Sequence, residues 1–168
     1  MPSKKRPEKL SYEEASKIFH YDPSTGDLIW AIDRRSRRCG DLAGCLDTQG
    51  YISVEVYRRS YRVHRIAWLL KTGAWPQSQI DHKNRNRIDN RWENLRLATP
   101  TQNAANLVRA SKQGWPKGVR PQKNGQSFQA KIMRAGKYLC LGTFPTPEQA
   151  HQAYIEAAQR LHGEFARG

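Results

Sequence analysis

The strongest constraint on this chain is the stretch 79–107, QIDHKNRNRIDNRWENLRLATPTQNAANL. Ile80 leads into adjacent Asp81 and His82, and a polar loop rich in Asn and Arg follows. Asn94 then precedes an alternating run at Leu95, Leu97 and Ala98. Thr99-Pro100-Thr101-Gln102 reads as a helix start: Thr99 is the N-cap, Pro100 fits the first helical position, and Gln102 completes a capping box. Asn103 falls in the first turn of that helix. The order strand, polar loop, short strand, helix can bring a carboxylate, an imidazole and two carboxamides to one small site. Neighbouring side chains on a regular strand point to opposite faces. Asp81 and His82 serve one site only if the strand ends or twists there, and the polar run 83–91 predicts an ending.

Charge narrows the partners. The 168 residues carry 29 basic and 15 acidic side chains, a formal +14. Residues 61–107 hold eight basic against three acidic (+5), and residues 108–168 hold ten against three (+7). Such a balance favours a polyanion, nucleic acid before anionic membrane. No apolar run reaches the roughly 18 residues of a membrane span, so no membrane partner is expected. The opening MPSKKRPEKL lacks the apolar core of a secretory signal. Its Lys4-Lys5-Arg6 cluster is either a phosphate-binding arm or a solubilising tail. Cys39, Cys45 and Cys140 form no C-x-x-C pair, which points to reduced thiols in a cytosol.

Residues 11–19 read as a short helix capped by Ser11 with Glu14 three residues on. The segment 21–26 is a turn, and Leu28-Ile29-Trp30 a strand. Arg34, Arg35, Arg37 and Arg38 form a basic loop, either a solvated turn or a phosphate contact. Residues 51–57 alternate as a strand, and Arg58-Arg59-Ser60 turns it back into 61–63. The segment 64–70 opens a helix closed by Gly73. Within it His64 is either structural or adjacent to a phosphate.

The 79–107 stretch resembles the HNH nuclease motif, a ββα unit that grips one divalent metal. The resemblance implies that His82 is the general base and that Asn94 holds the loop and orients that histidine. Asp81 and Asn103 would be the metal ligands. Asparagine at the third motif position tells against zinc and for Mg²⁺ or Mn²⁺. The chemistry agrees: phosphodiester hydrolysis needs an activated water and a Lewis acid, and a neutral imidazole accepts a proton near pH 7. Carboxylate and amide oxygens suit a hard ion. Arg85, Arg87, Arg91 and Arg96 are candidates for DNA phosphate contacts. Residues 10–107 together resemble small phage and prophage HNH endonucleases, some of them homing endonucleases.

The composition breaks at 108–116, where a linker is expected. Strands follow at 117–120, 127–132 and 137–144, and Thr146-Pro147-Glu148-Gln149 launches a long helix with one apolar face. The KGVR, LGTF, TPEQA and AYIEAA segments resemble the plant ethylene-response-factor (apetala) type of DNA-binding domain. In that family a three-stranded sheet lies in the major groove, which implies DNA contacts from Lys117, Arg120, Gln122 and Lys131. Cys140 replaces the family's tryptophan, and Lys131 stands where the family has an acidic contact residue.

The expectation is therefore an α+β chain. It has an HNH nuclease module over 10–107, with its core motif at 61–107 and an N-terminal β-hairpin and helix extension. A three-stranded antiparallel sheet on one helix follows over 117–165. The function expected is a Mg²⁺- or Mn²⁺-dependent DNA endonuclease without a small-molecule cofactor, phage or prophage encoded and acting in the host cytoplasm. The alternatives are a catalytically silent, sequence-specific DNA-binding regulator on the same scaffold, or a basic structural nucleoid or RNA-binding protein.

Overall fold

A computed structural model describes residues 10–34, 36–106, 114–123, 125–134 and 136–166. The Lys4–Arg6 cluster and most of the expected linker lie outside the described residues. The chain divides into two compact units between Leu97 and Ala98.

In the first unit, α1 (Tyr12–Ile18) begins on a complete capping box. The Ser11 hydroxyl accepts from the Glu14 N–H at 3.1 Å, and the Glu14 carboxylate accepts from the Ser11 N–H at 3.0 Å. β1 (Phe19–Tyr21) pairs antiparallel with β2 (Leu28–Trp30). β3 (Cys45–Leu46), β4 (Ile52–Val56) and β5 (Arg59–Arg62) make a second antiparallel sheet in that order. The β4–β5 turn differs from the expected 58–60. Val56 lies opposite Arg59, so the loop is Tyr57-Arg58, with φ of 53° and 62°. Burial of Val54 and Val56 fixes the inward face of β4, and a two-residue loop with both φ positive matches the strand twist.

α2 (Val63–Thr72) follows at once and ends where Gly73, at φ 77°, donates its N–H to the Leu69 carbonyl. β6 (Gln79–His82) and β7 (Leu95–Ala98) form a two-stranded sheet, with a turn of 3₁₀ helix at Trp92–Asn94 before β7. One core joins the extension to the motif: Leu10, Ile18, Phe19, Leu28 and Trp30 pack with Val56, Val63, Ile66, Leu69, Ile80 and Leu95. The extension is therefore structural support for β6 and β7 rather than an appended arm.

In the second unit, α3 (Pro100–Asn106) starts on the expected capping box. Thr99 N–H donates to Gln102 Oε1 at 2.8 Å, and Gln102 N–H donates to Thr99 Oγ1 at 3.3 Å. β8 (Val119–Pro121), β9 (Phe128–Arg134) and β10 (Lys137–Phe144) form an antiparallel sheet with β9 central. α4 (Pro147–His162), capped by Thr146, buries Ala150, Tyr154, Ala157 and Ala158; Val119, Ala130 and Ile132 are the buried residues of the sheet. Gly118, at φ +82°, is required where it stands: a Cβ there would lie 2.1 Å from Tyr154 Cδ2. The α+β architecture and the three strands with one helix are as the sequence leads one to expect.

Candidate active site

β6 ends at His82, whose carbonyl accepts from the Arg85 N–H at 2.9 Å with Arg85 in the left-handed region. Lys83 N–H donates to the Asn94 carbonyl at 2.8 Å, so the loop leaves β6 pinned to the start of β7. Asp81 and His82 are each 4% exposed. His82 Nε2 lies 3.1 Å from Asn90 Oδ1. An amide oxygen only accepts, so Nε2 carries the ring proton and Nδ1 the lone pair. Asn90 is itself 1% exposed, and its carbonyl accepts from the Tyr21 hydroxyl at 2.8 Å. The extension thus grips the residue that grips the histidine. Burial pushes His82 below the usual histidine range, against the pull of the Asn90 contact and of the Asp81 and Asp89 carboxylates. An imidazole shifted that way is neutral at pH 7.

Asn94 braces the loop. Its Oδ1 accepts from the Asn84 N–H at 2.9 Å, and its Nδ2 donates to Asn84 Oδ1 at 3.0 Å and to the Asp89 carbonyl at 2.8 Å. The contact to the His82 ring comes from Asn90. Nothing in its spacing along the chain separates Asn90 from Asn84 or Asn86.

Asp81 takes a different partner from its neighbour. Arg96 Nε donates to Asp81 Oδ2 at 2.9 Å, and Nη2 lies 2.9 Å from the same oxygen. Arg96, by sequence a candidate phosphate contact, is buried, and its guanidinium faces the Asp81 carboxylate. Arg85, Arg87 and Arg91 are exposed. Arg91 is paired with Asp89 at 2.8 Å, and those bonds hold the Asp89 carboxyl down at about 2. Arg87 donates to the Gln49 carbonyl at 2.6 Å, its Cζ 4.9 Å from the Tyr51 ring centroid.

His64, on α2, is buried edge-on to His82 with ring centroids 5.0 Å apart. Its Nδ1 is buried without a hydrogen-bond partner, and burial lowers its pKa to about 3. The structure therefore sets this imidazole, neutral, against the candidate base. Asn103 lies on α3, in the second unit. A carboxylate such as that of Asp81 suits a hard ion such as Mg²⁺ rather than zinc. Among the described residues, no group of three or more His, Cys, Asp or Glu is arranged to hold a metal ion.

In the second unit, Ala130 and Ile132 of β9 face α4, so strand alternation turns Gln129 and Lys131 to the opposite face. Arg120 sits opposite Gln129, and Lys131 opposite Cys140. Arg120 is exposed, with its Cζ 5.9 Å from the Tyr138 ring centroid. Gln122 lies just past β8, its N–H donated to the Ser127 carbonyl. Lys117 is half-buried, its ammonium 5.8 Å from the Tyr154 ring centroid.

Residues 61–105 match the HNH endonuclease family. A curated relative, the uncharacterized HNH endonuclease L560 of Acanthamoeba polyphaga mimivirus, is 35% identical over 123 residues. That alignment covers 69% of this chain and 64% of the relative's length. Among solved structures, the HNH homing endonuclease I-HmuI, described for DNA binding and cleavage, aligns over 86% of this chain and 84% of its own. The identity there is 20% and the TM-score 0.41. The stretch 61–105, which contains Asp81, His82, Asn90, Asn94 and Asn103, is the part of the chain that matches the HNH endonuclease family.

Proposed function

We propose that this protein is a divalent-metal-dependent DNA endonuclease of the homing type, directed to its target by the C-terminal sheet. One observation carries the reading: a buried, neutral His82 held at Nε2 by Asn90, with its lone pair on Nδ1. That is the state a general base needs to take a proton from water attacking a phosphodiester. Asp81 and Asn103 would hold Mg²⁺ or Mn²⁺, which when bound supplies Lewis acidity to the phosphoryl oxygens and the leaving oxygen. Arg96 fixes the Asp81 carboxylate, and Asn94 keeps the loop closed beneath His82. Arg85 and Arg87 on the loop are the exposed cations for flanking phosphates, with Arg91 beside them in its Asp89 pair.

The sheet face turned away from α4 presents Arg120 and Lys131, with Lys117 and Gln122 beside it, to a DNA groove. Cationic side chains along a groove position the duplex through its phosphates, while base edges give selectivity. Three exposed free thiols, Cys39, Cys45 and Cys140, suit a reducing compartment, the cytoplasm of a phage-infected host cell. Among the described residues no helix is long and apolar enough to cross a membrane.

The test is incubation of supercoiled plasmid with the protein and Mg²⁺, Mn²⁺ or EDTA. Cleavage with metal, its loss in EDTA, and a roughly 10²–10⁴-fold drop in His82→Ala with binding intact are expected. Tight, specific binding with no cleavage in any metal would favour the silent regulator instead.

A further inference from the structure

The N-terminal extension holds a concentration of positive charge that the HNH motif does not use. A cavity of about 880 Å³ lies between the loop after β2 and the β4–β5 hairpin. Trp30, Arg34, Arg37, Tyr57 and Arg58 line it, with Glu55 as the single carboxylate among its lining residues. Trp30 Nε1 and Arg34 Nη1 are both buried, and neither has a hydrogen-bond partner. Buried donors without acceptors are rare in folded proteins. Indole and guanidinium have no acceptor capacity of their own, so only an incoming acceptor can satisfy them.

The cradle is held in place. Arg34 Cζ lies 5.7 Å from the Trp30 ring centroid and 5.2 Å from that of Tyr57. The Arg34 backbone is clamped to Arg37 by two hydrogen bonds, of 2.8 and 2.7 Å. Tyr57 and Arg58 occupy left-handed positions that a hairpin usually fills with Asn-Gly. Backbone strain of that kind is kept where the side chains have work to do. Here it brings an aromatic ring over Arg34 and a further guanidinium to the cavity. Three guanidinium groups against one carboxylate disfavour a cation and select an anion with several acceptor oxygens.

We propose that Trp30 Nε1, Arg34, Arg37 and Arg58 form a phosphate-binding subsite outside the HNH motif, occupied by a backbone phosphate of bound DNA. Only the source of the phosphate rests on the endonuclease reading; the phosphate chemistry stands on the cavity itself.

The indole N–H resonance of Trp30 reports occupancy directly in the full-length protein, with Trp30→Phe assigning it among the five tryptophans. It is expected to shift on titration with a duplex oligonucleotide at micromolar concentration and with inorganic phosphate only at millimolar concentration. Saturation by inorganic phosphate at concentrations as low as the duplex would make it a free-anion site and overturn the backbone assignment. No movement with either ligand would overturn the subsite. Arg34→Gln should flatten the dependence of log affinity for DNA on log salt by about 0.9, one phosphate contact. The double variant Tyr57→Asn/Arg58→Gly should melt higher yet bind DNA more weakly; unchanged binding would remove the hairpin from the site. A protein that cuts in no metal but whose Trp30 resonance responds keeps the subsite and loses the endonuclease reading. Cleavage with a silent resonance does the reverse.

Discussion

Asn90→Ala is the sharpest perturbation of the His82 arrangement. It removes the acceptor 3.1 Å from Nε2 and leaves an N–H in a side chain only 4% exposed. An unsatisfied buried donor costs about 1–3 kcal/mol. If that penalty falls on the productive tautomer and ring orientation, cleavage slows by roughly 5- to 150-fold at about 1.36 kcal/mol per tenfold. The Tyr21 hydroxyl bonds the Asn90 backbone carbonyl, so the extension's hold on the loop survives the change. Asn90→Asp keeps an acceptor and adds negative charge beside the ring. It therefore favours the imidazolium and moves the acid limb of the pH–rate profile to higher pH. Single-turnover nicking of supercoiled plasmid across pH, beside DNA binding and thermal unfolding, separates these effects. Parental rate and profile in Asn90→Ala, with an unmoved midpoint in Asn90→Asp, would refute the argument that Asn90 positions His82.

Three further outcomes are expected. Arg96→Ala strands a buried carboxylate and should cost about 3–5 kcal/mol in denaturant unfolding, whereas Arg91→Ala breaks an exposed pair and should cost under about 1 kcal/mol; equal losses would contradict the burial of the Asp81–Arg96 pair. His64, held neutral with a pKa of about 3 by burial, refuses a proton that the unfolded chain takes up below about 6.5. Stability should therefore fall by up to about 4 kcal/mol as pH drops from 6.5 towards 3, and His64→Leu should flatten that fall in unfolding measured at a series of pH values. Gly118→Ala places a methyl against the Tyr154 ring and should destabilise the second unit by about 1–3 kcal/mol or more. Gly125→Ala, also at positive φ but facing open space, should cost only about 1 kcal/mol in the same melting experiment.

Local chemistry was legible in the sequence. Ser11 with Glu14, Thr99 with Gln102, and Thr146 before Pro147 announce their helices because each cap reaches only three residues along the chain. The alternation in β9 and the apolar face of α4 gave the three strands and helix for the same reason: period and burial are read from neighbours. The β4–β5 turn falls at Tyr57-Arg58 rather than at the expected 58–60, because Arg58 within the loop and Arg59 beyond it look alike in sequence. Its register was decided by Val54 and Val56 entering the core.

Asp81, His82 and Asn94 stand out in the sequence by type and order, yet their partners do not. Asn90 is eight residues from His82, Arg96 is fifteen from Asp81, and Tyr21 reaches Asn90 across 69 residues. Residue type fixes which hydrogen bonds a polar side chain can make. The path of the loop and the packing of the extension decide which partner it meets. The sequence by itself thus determined the elements and the chemical repertoire of the site. Only the tertiary structure decided that Asn90 holds the histidine, that Arg96 turns inward to Asp81, and that Trp30 Nε1 and Arg34 Nη1 are buried without a hydrogen-bond partner.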